Sequence, residues 1–213
     1  RLKLAHAVGS PAADACGCCA IDASHQITPD DIMAFAKLVI ANESGVAMAH
    51  IEVMRAQGSS LDRIFLDLLA PTARIMGDMW LADECSFIDV TIGLARLQQI
   101  VRDLGPEFEP ELDEARPSRR ALMAPAPGEQ HSLGIAMVEQ FFRRAGWEVA
   151  APSQGEAGLV AAVRKDWFTV VGVSVGCVEL IDSLQTVIRS MRHTSRNPDL
   201  IVMVGGAAFN DRP

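Results

Sequence analysis

Apolar residues recur at helical spacing over the first half of the chain and give way to short strand-like runs over the second. Thr28-Pro29-Asp30-Asp31 supplies an N-cap, a proline suited to the first helical turn and two acids at the positive end of a helix dipole, which predicts a helix through about Ala41. A second helix is expected from about Glu43 to Ala56, ending near Gly58, a residue that tolerates the left-handed geometry of helix ends. Ser60 caps a third, in which Leu61, Ile64, Phe65, Leu68, Leu69, Ile75, Met76 and Met79 follow the helical period and Pro71 imposes a bend. Ser86, with Asp89 three places on, forms a capping box for a fourth helix striped by Phe87, Val90, Leu94, Leu97, Ile100, Val101 and Leu104. Four amphipathic helices with short joins make a bundle over 28–104.

The pattern breaks at residues 105–118. Gly105 to Pro117 holds three prolines and five acids, a composition that reads as a linker. Beyond it, strand-like runs at Arg119 to Ala126, Trp147 to Ala151, Phe168 to Val175 and Leu200 to Val204 alternate with helical spacing at Gly134 to Ala145, Ala157 to Lys165 and Leu180 to His193. Alternation of this kind, with strands apolar on both faces, predicts a doubly wound parallel sheet covered on both sides over 119–213. Such a domain usually closes with a fifth strand and its helix, so the C-terminus is expected to be trimmed. Residues 1–27 show no sustained period and are expected to form a loose arm.

Composition narrows the function. Of 213 residues, 49% are hydrophobic and 22% charged, enough apolar material for a core. The longest mainly apolar run, Phe168 to Val178, is shorter than the roughly 18 residues a bilayer helix needs, so no membrane partner and a cytoplasmic location are expected. The net charge of -8 disfavours direct DNA binding, because nucleic-acid affinity rests on Lys and Arg contacts to phosphate. Charge is also uneven, with 9 basic and 18 acidic residues over 1–117 against 10 and 9 over 118–213, consistent with two units. Five cysteines, an odd number, fit a reducing compartment. Cys16, Cys18 and Cys19 lack the second ligand pair of a zinc site and are assigned to the arm, while Cys85 and Cys177 read as small buried residues.

Candidate chemistry concentrates in Glu129-Gln130-His131-Ser132-Leu133-Gly134, between the first strand and its helix. In open α/β sheets that loop lies at the C-terminal edge, where ligands bind. An imidazole there ligates a transition metal through one nitrogen while a carboxylate such as Glu129 takes the proton on the other. Gly134 lets the helix start close beneath a bulky ligand. Ser174-Val175-Gly176 ends the third strand and Gly205-Gly206 the fourth. A strand-end hydroxyl suits a buried ring nitrogen, and paired glycines admit a flat group against backbone. No Ser-His-Asp arrangement, nucleotide-type glycine loop or paired carboxylates with an evident base is present, so the chain is not expected to be an enzyme.

Glu129-x-His131-x-x-Gly134, Ser174 and Gly205-Gly206 together resemble the Asp-x-His-x-x-Gly, Ser-x-Leu, Gly-Gly signature of cobalamin-binding Rossmann-like domains, and the upstream bundle with Trp80 before its last helix is similar to their helical caps. Trp80 to Thr91 and Gly128 to His131 look most like the AerR/PpaA group of regulators of photosynthesis genes. The resemblance implies a flavodoxin-like cobalamin-binding domain under an all-α cap, with adenosylcobalamin or hydroxocobalamin as cofactor. It implies His131 as the lower cobalt ligand in place of the cofactor's own base. The displaced tail would run beside Ser132, Leu133, Ser174, Val175, Gly176, Gly205 and Gly206, and Trp80, Phe87 and Val90 would press on the upper face. It further implies a light-responsive antirepressor that binds a transcriptional repressor of photosynthesis genes. The alternatives are a corrinoid carrier of a methyltransferase system and a cobalamin storage or sensing module without photochemistry. Three departures stand out: Glu129 replaces the usual Asp, Gly176 replaces the leucine of Ser-x-Leu and leaves more room beside the tail, and Val90-Thr91 stands where related light-sensing repressors carry Glu-His. His6, His25 and His50 remain candidates for the upper cobalt position.

Overall fold

A computed structural model describes residues 27–41, 44–108, 119–153 and 155–209. Helix α1 (Pro29–Ala41) begins as its sequence dictates: Asp31 accepts from the Thr28 backbone N–H at 2.8 Å and from its hydroxyl at 2.7 Å, while Thr28 Oγ1 accepts from the Asp31 N–H. Helix α2 (Ser44–Ala56) ends where Gly58 takes φ 96°, and the Gly58 and Ser59 N–H groups close onto the carbonyls of Arg55 and Met54. Ser60 then caps α3 (Leu61–Arg63), which runs on through a π-helical stretch, Ile64–Leu69, into α4 (Ala70–Leu81). The π widening directly precedes Pro71. An α-helical Pro71 would crowd the Asp67 carbonyl and offer it no donor, and the wider turn, with the Ala70 N–H on the Phe65 carbonyl, relieves both.

Helix α5 (Phe87–Phe108) opens with the Ser86–Asp89 capping box, at 2.9 and 2.6 Å to the Asp89 carboxylate. It also runs past the expected break, through Gly105 and Pro106. Two contacts favour the extra turn: a Cβ on Gly105 would collide with Gln140 Oε1 at 2.8 Å, so the glycine lets the helices approach, and Glu107 pairs with Arg55 at 2.5 Å. The remaining linker residues and the N-terminal arm with Cys16, Cys18 and Cys19 lie outside the described residues. Phe35, Ile51, Ile64, Phe65, Leu68, Leu97, Ile100 and Leu104 form the dry centre of the helical bundle.

Four parallel strands follow, β1 (Arg119–Pro125), β2 (Trp147–Ala150), β3 (Val170–Ser174) and β4 (Ile201–Gly205), in the order β2-β1-β3-β4. Helices α6 (Leu133–Arg144), α7 (Gly155–Lys165) and α8 (Ile181–Thr194) alternate with them. The two-residue pleat sorts β1 between layers. Ala121 and Met123 pack with Ile135 of α6, and Leu122 and Ala124 pack with Leu159, Val163, Leu184 and Val187 of α7 and α8. Helix α6 is shared, because its Met137 belongs to the core of the helical bundle.

One strand departs from expectation. Edge strand β4 is not covered on both faces, since Ile201 and Met203 are exposed among the described residues. Cys85 and Cys177 also differ, being half-buried rather than fully enclosed. Strand register aligns the loops at one edge: Pro125 pairs with Ser174 and Ser174 with Gly205, so the segments after β1, β3 and β4 leave the sheet side by side.

Candidate functional site

The loop after β1 is fixed by a turn at Gly128, whose φ of 87° favours glycine, and the Glu129 N–H donates to the Ala126 carbonyl at 2.9 Å. That turn drives the Glu129 side chain inward, where it is 1% exposed, and leaves His131 outward at 69%. Glu129 Oε1 accepts from the backbone N–H groups of Gln130 and His131 at 2.9 Å each and lies 2.6 Å from His131 Nδ1. Glu129 Oε2 crosses to the loop after β3 and accepts from the N–H of Gly176 at 2.5 Å and of Cys177 at 3.3 Å. The carboxylate thus ties the two loops together.

Burial pushes the Glu129 carboxyl up, but the His131 and Gly176 N–H groups and the His131 ring outweigh it and hold the group at about 2. Glu129 is therefore a carboxylate at neutral pH and can only accept, which assigns the proton of the shared bond to His131 Nδ1. In the neutral ring Nε2 is left bare and is the atom available to a metal. The Cys177 thiol brings a third ligand-type group, with the Glu129, His131 and Cys177 donor atoms all within 4.8 Å of one another. Both Glu129 oxygens are already engaged, so the Nε2 of the exposed ring is more open to a metal than the carboxylate is.

Around the histidine, the expected residues take different parts. Ser174 Oγ is buried with no hydrogen-bond partner among the described residues, a costly state that a ligand atom would relieve. Val175 is fully buried and offers only backbone, its N–H bonding the Gly205 carbonyl at 2.8 Å. Gly206, with φ 119°, approaches Val175 so closely that a Cβ would stand 2.3 Å from its carbonyl oxygen. A Cβ on Gly134 or Gly205 would meet nothing within 4 Å, so no protein atom requires glycine there and the surface is open. Ser132 Oγ accepts from Gln98 Nε2 of α5 at 2.9 Å, and Leu133 packs against the bundle core, so these two fasten the loop to the cap.

In the cap, Trp80 is 45% and Phe87 66% exposed, with ring centroids 6.0 Å apart in an edge-on arrangement. Large rings left this open are available to a partner or a ligand. Val90 does not join them: it is buried in the bundle core, seven residues before Leu97 on the same helical stripe. His50 packs its ring on the buried Phe35 at 5.6 Å, and His6 and His25 lie outside the described residues. Sequence reasoning missed Gln98 and the Cys177 N–H. Neither carries a signature, since a polar residue on a helix face and a backbone amide gain meaning only from the loop opposite.

The fold and site therefore define a class: a helical cap on a flavodoxin-like α/β domain whose first strand delivers an oriented histidine to the sheet edge. Residues 119–213 match the family model of the B12 binding domain. The structure is similar to that of the monomethylamine corrinoid protein of Methanosarcina barkeri, with a TM-score of 0.66 and 16% identity over 84% of this chain and 85% of that one. A protein from the bchF-crtJ intergenic region of Rhodobacter capsulatus is 24% identical over 161 residues, 74% of this chain and 82% of that protein. Among the described residues, no helix is long and apolar enough to cross a membrane.

Proposed function

We propose that the chain binds cobalamin through His131 and acts as a light-responsive regulator, an antirepressor that works by binding a transcriptional repressor of photosynthesis genes. The observation that carries the cofactor assignment is the Glu129–His131 pair at the sheet edge, inside the segment that matches the B12 binding domain. The residues fit the group. His131 Nε2 is free to bind the metal, the unpartnered Ser174 hydroxyl suits a buried ring nitrogen, and the open glycine surface at 134 and 205 admits a flat body. Trp80 and Phe87 would bear on its upper side.

When bound, the cofactor supplies a cobalt–carbon bond that light cleaves. The chain's own part is to hold and to read. Glu129 fixes the ring and its tautomer, Trp80 and Phe87 sense the size of the upper group, and Gln98 links cap to loop. A change under Trp80 thereby shifts the cap, and with it the surface offered to the repressor. Support for the regulator comes from the R. capsulatus relative, named for a region beside crtJ, and from the absence of the Glu-His pair at Val90-Thr91.

A second reading, a corrinoid carrier, is favoured by the fold shared with the M. barkeri protein. Loading with adenosylcobalamin, illuminating, and following absorbance together with repressor binding separates them. The regulator changes both under light. No light-dependent change in either leaves the carrier or a storage or sensing module without photochemistry. Replacing His131 by Ala tests the ligand itself, and an unchanged visible spectrum at full occupancy would remove it.

A further inference from the structure

Gly176 follows Ser174-Val175 in the loop after β3, where a leucine stands in the signature this chain resembles. Its backbone is not in the positive-φ region that Gly128 and Gly206 occupy, so an L residue would be allowed by conformation alone. Space decides the position instead. A Cβ on residue 176 would stand 3.0 Å from Glu129 Oε2, 3.1 Å from His131 Nδ1 and 3.4 Å from Glu129 Cδ.

These neighbours have little freedom to retreat. The Glu129 side chain is 1% exposed, and its two oxygens accept from five donors: the N–H groups of Gln130, His131, Gly176 and Cys177 and the ring of His131. A side chain at 176 would press its Cβ on the carboxylate and the ring, which would have to give by a few tenths of an ångström against the bonds that hold them. The expected extra room beside a cofactor tail is therefore taken up by the chain itself.

We infer that Gly176 is a positioning residue for His131: by leaving this space empty, it lets a glutamate at 129 clamp the imidazole and bind the loop after β1 to the loop after β3. The two departures from the resembled signature are one compensated unit. An aspartate at 129, one methylene shorter, draws its carboxylate back toward its own loop and opens the volume that a side chain at 176 needs.

The inference rests on the proposed cofactor role of His131 only for the purpose of the clamp; the clamp itself is read in the cofactor-free full chain. A ring proton held by a buried carboxylate gives a slowly exchanging downfield NMR signal, and the ring nitrogen shifts report the Nδ1–H tautomer. We expect Gly176→Leu to abolish that signal and tautomer preference, Gly176→Ala to weaken them, and Glu129→Asp with Gly176→Leu to recover them. A signal that persists unchanged in Gly176→Leu overturns the inference. If Gly176→Leu fails to fold, adding Glu129→Asp, which keeps a carboxylate but shortens it, restores a folded chain where the collision is with the carboxylate, and failure to restore it overturns the inference as well. With cobalamin as probe, Gly176→Leu should lose about 10- to 100-fold in affinity, the usual scale for an outer-shell partner, and the double variant should regain most of it. Wild-type protein that takes up no cobalamin counts against the proposed function and leaves the proton readout to judge the clamp.

Discussion

Two side chains at the site have opposite relations to stability. Ser174 Oγ is buried without a partner among the described residues, so Ser174→Ala removes an unmet polar group and is expected to leave urea stability of the cofactor-free chain unchanged or slightly raised. The same change should weaken cobalamin binding, and reduced stability would show that the hydroxyl has a partner in the free protein. Glu129 behaves the other way. Its carboxyl is held at about 2, below the ordinary value of about 4.3, so the folded chain binds this proton less readily than the unfolded one. The stabilisation is fully present above the ordinary carboxylate range and is lost as pH falls from there toward about 2. Urea unfolding of wild type and Glu129→Ala should therefore differ most near neutrality and converge on acidification, and a gap that stays constant from pH 7 to pH 3 would contradict the assignment. The sequence made Glu129 and His131 visible as a pair. It could not show Oε2 reaching Gly176 and Cys177, because that bond joins residues 47 and 48 positions apart.

Secondary structure was legible wherever local chemistry decides it. Capping boxes at Thr28 and Ser86 and the glycine stop at Gly58 all act within a few residues, and the elements start or end there. Ser86→Ala removes the hydroxyl that accepts the Asp89 N–H at the head of α5 and should cost about 1 kcal/mol, measured by urea unfolding. A loss below a few tenths would mean that tertiary packing alone sets the helix start. Departures fall where distant contacts override the local signal. At Pro71 the local signal still acts, and a π-helical stretch accommodates the proline within the continuous helix; the override lies elsewhere. Gly105 and Pro106 read as a terminator, yet α5 continues because Gln140 and Arg55 lie against its last turn.

Across the molecule, the bundle and the α/β domain share a wall. Met137 of α6 is 7% exposed and sits in the bundle core, while Ile135 two residues earlier faces the sheet. Met137→Ala is expected to destabilise the chain by about 2 to 5 kcal/mol through transfer loss and cavity. Since the wall is common, calorimetry should record one unfolding transition for the wild type, and two well-separated transitions would show that cap and sheet domain are independent. The same wall places Gln98 of the cap on Ser132 of the histidine loop, a direct connection between the bundle and the sheet edge.

The order of elements, the helical cap, the parallel sheet and the loop that carries His131 were determined by the sequence alone, because hydrophobic period, caps and turn residues act over a few positions. The tertiary structure decided which way those side chains face: Val90 inward, Trp80 and Phe87 outward, the Ser174 hydroxyl buried and without a partner among the described residues, and Gly176 close against Glu129. Facing and spare room depend on what the rest of the chain brings alongside, and no run of adjacent residues contains that information.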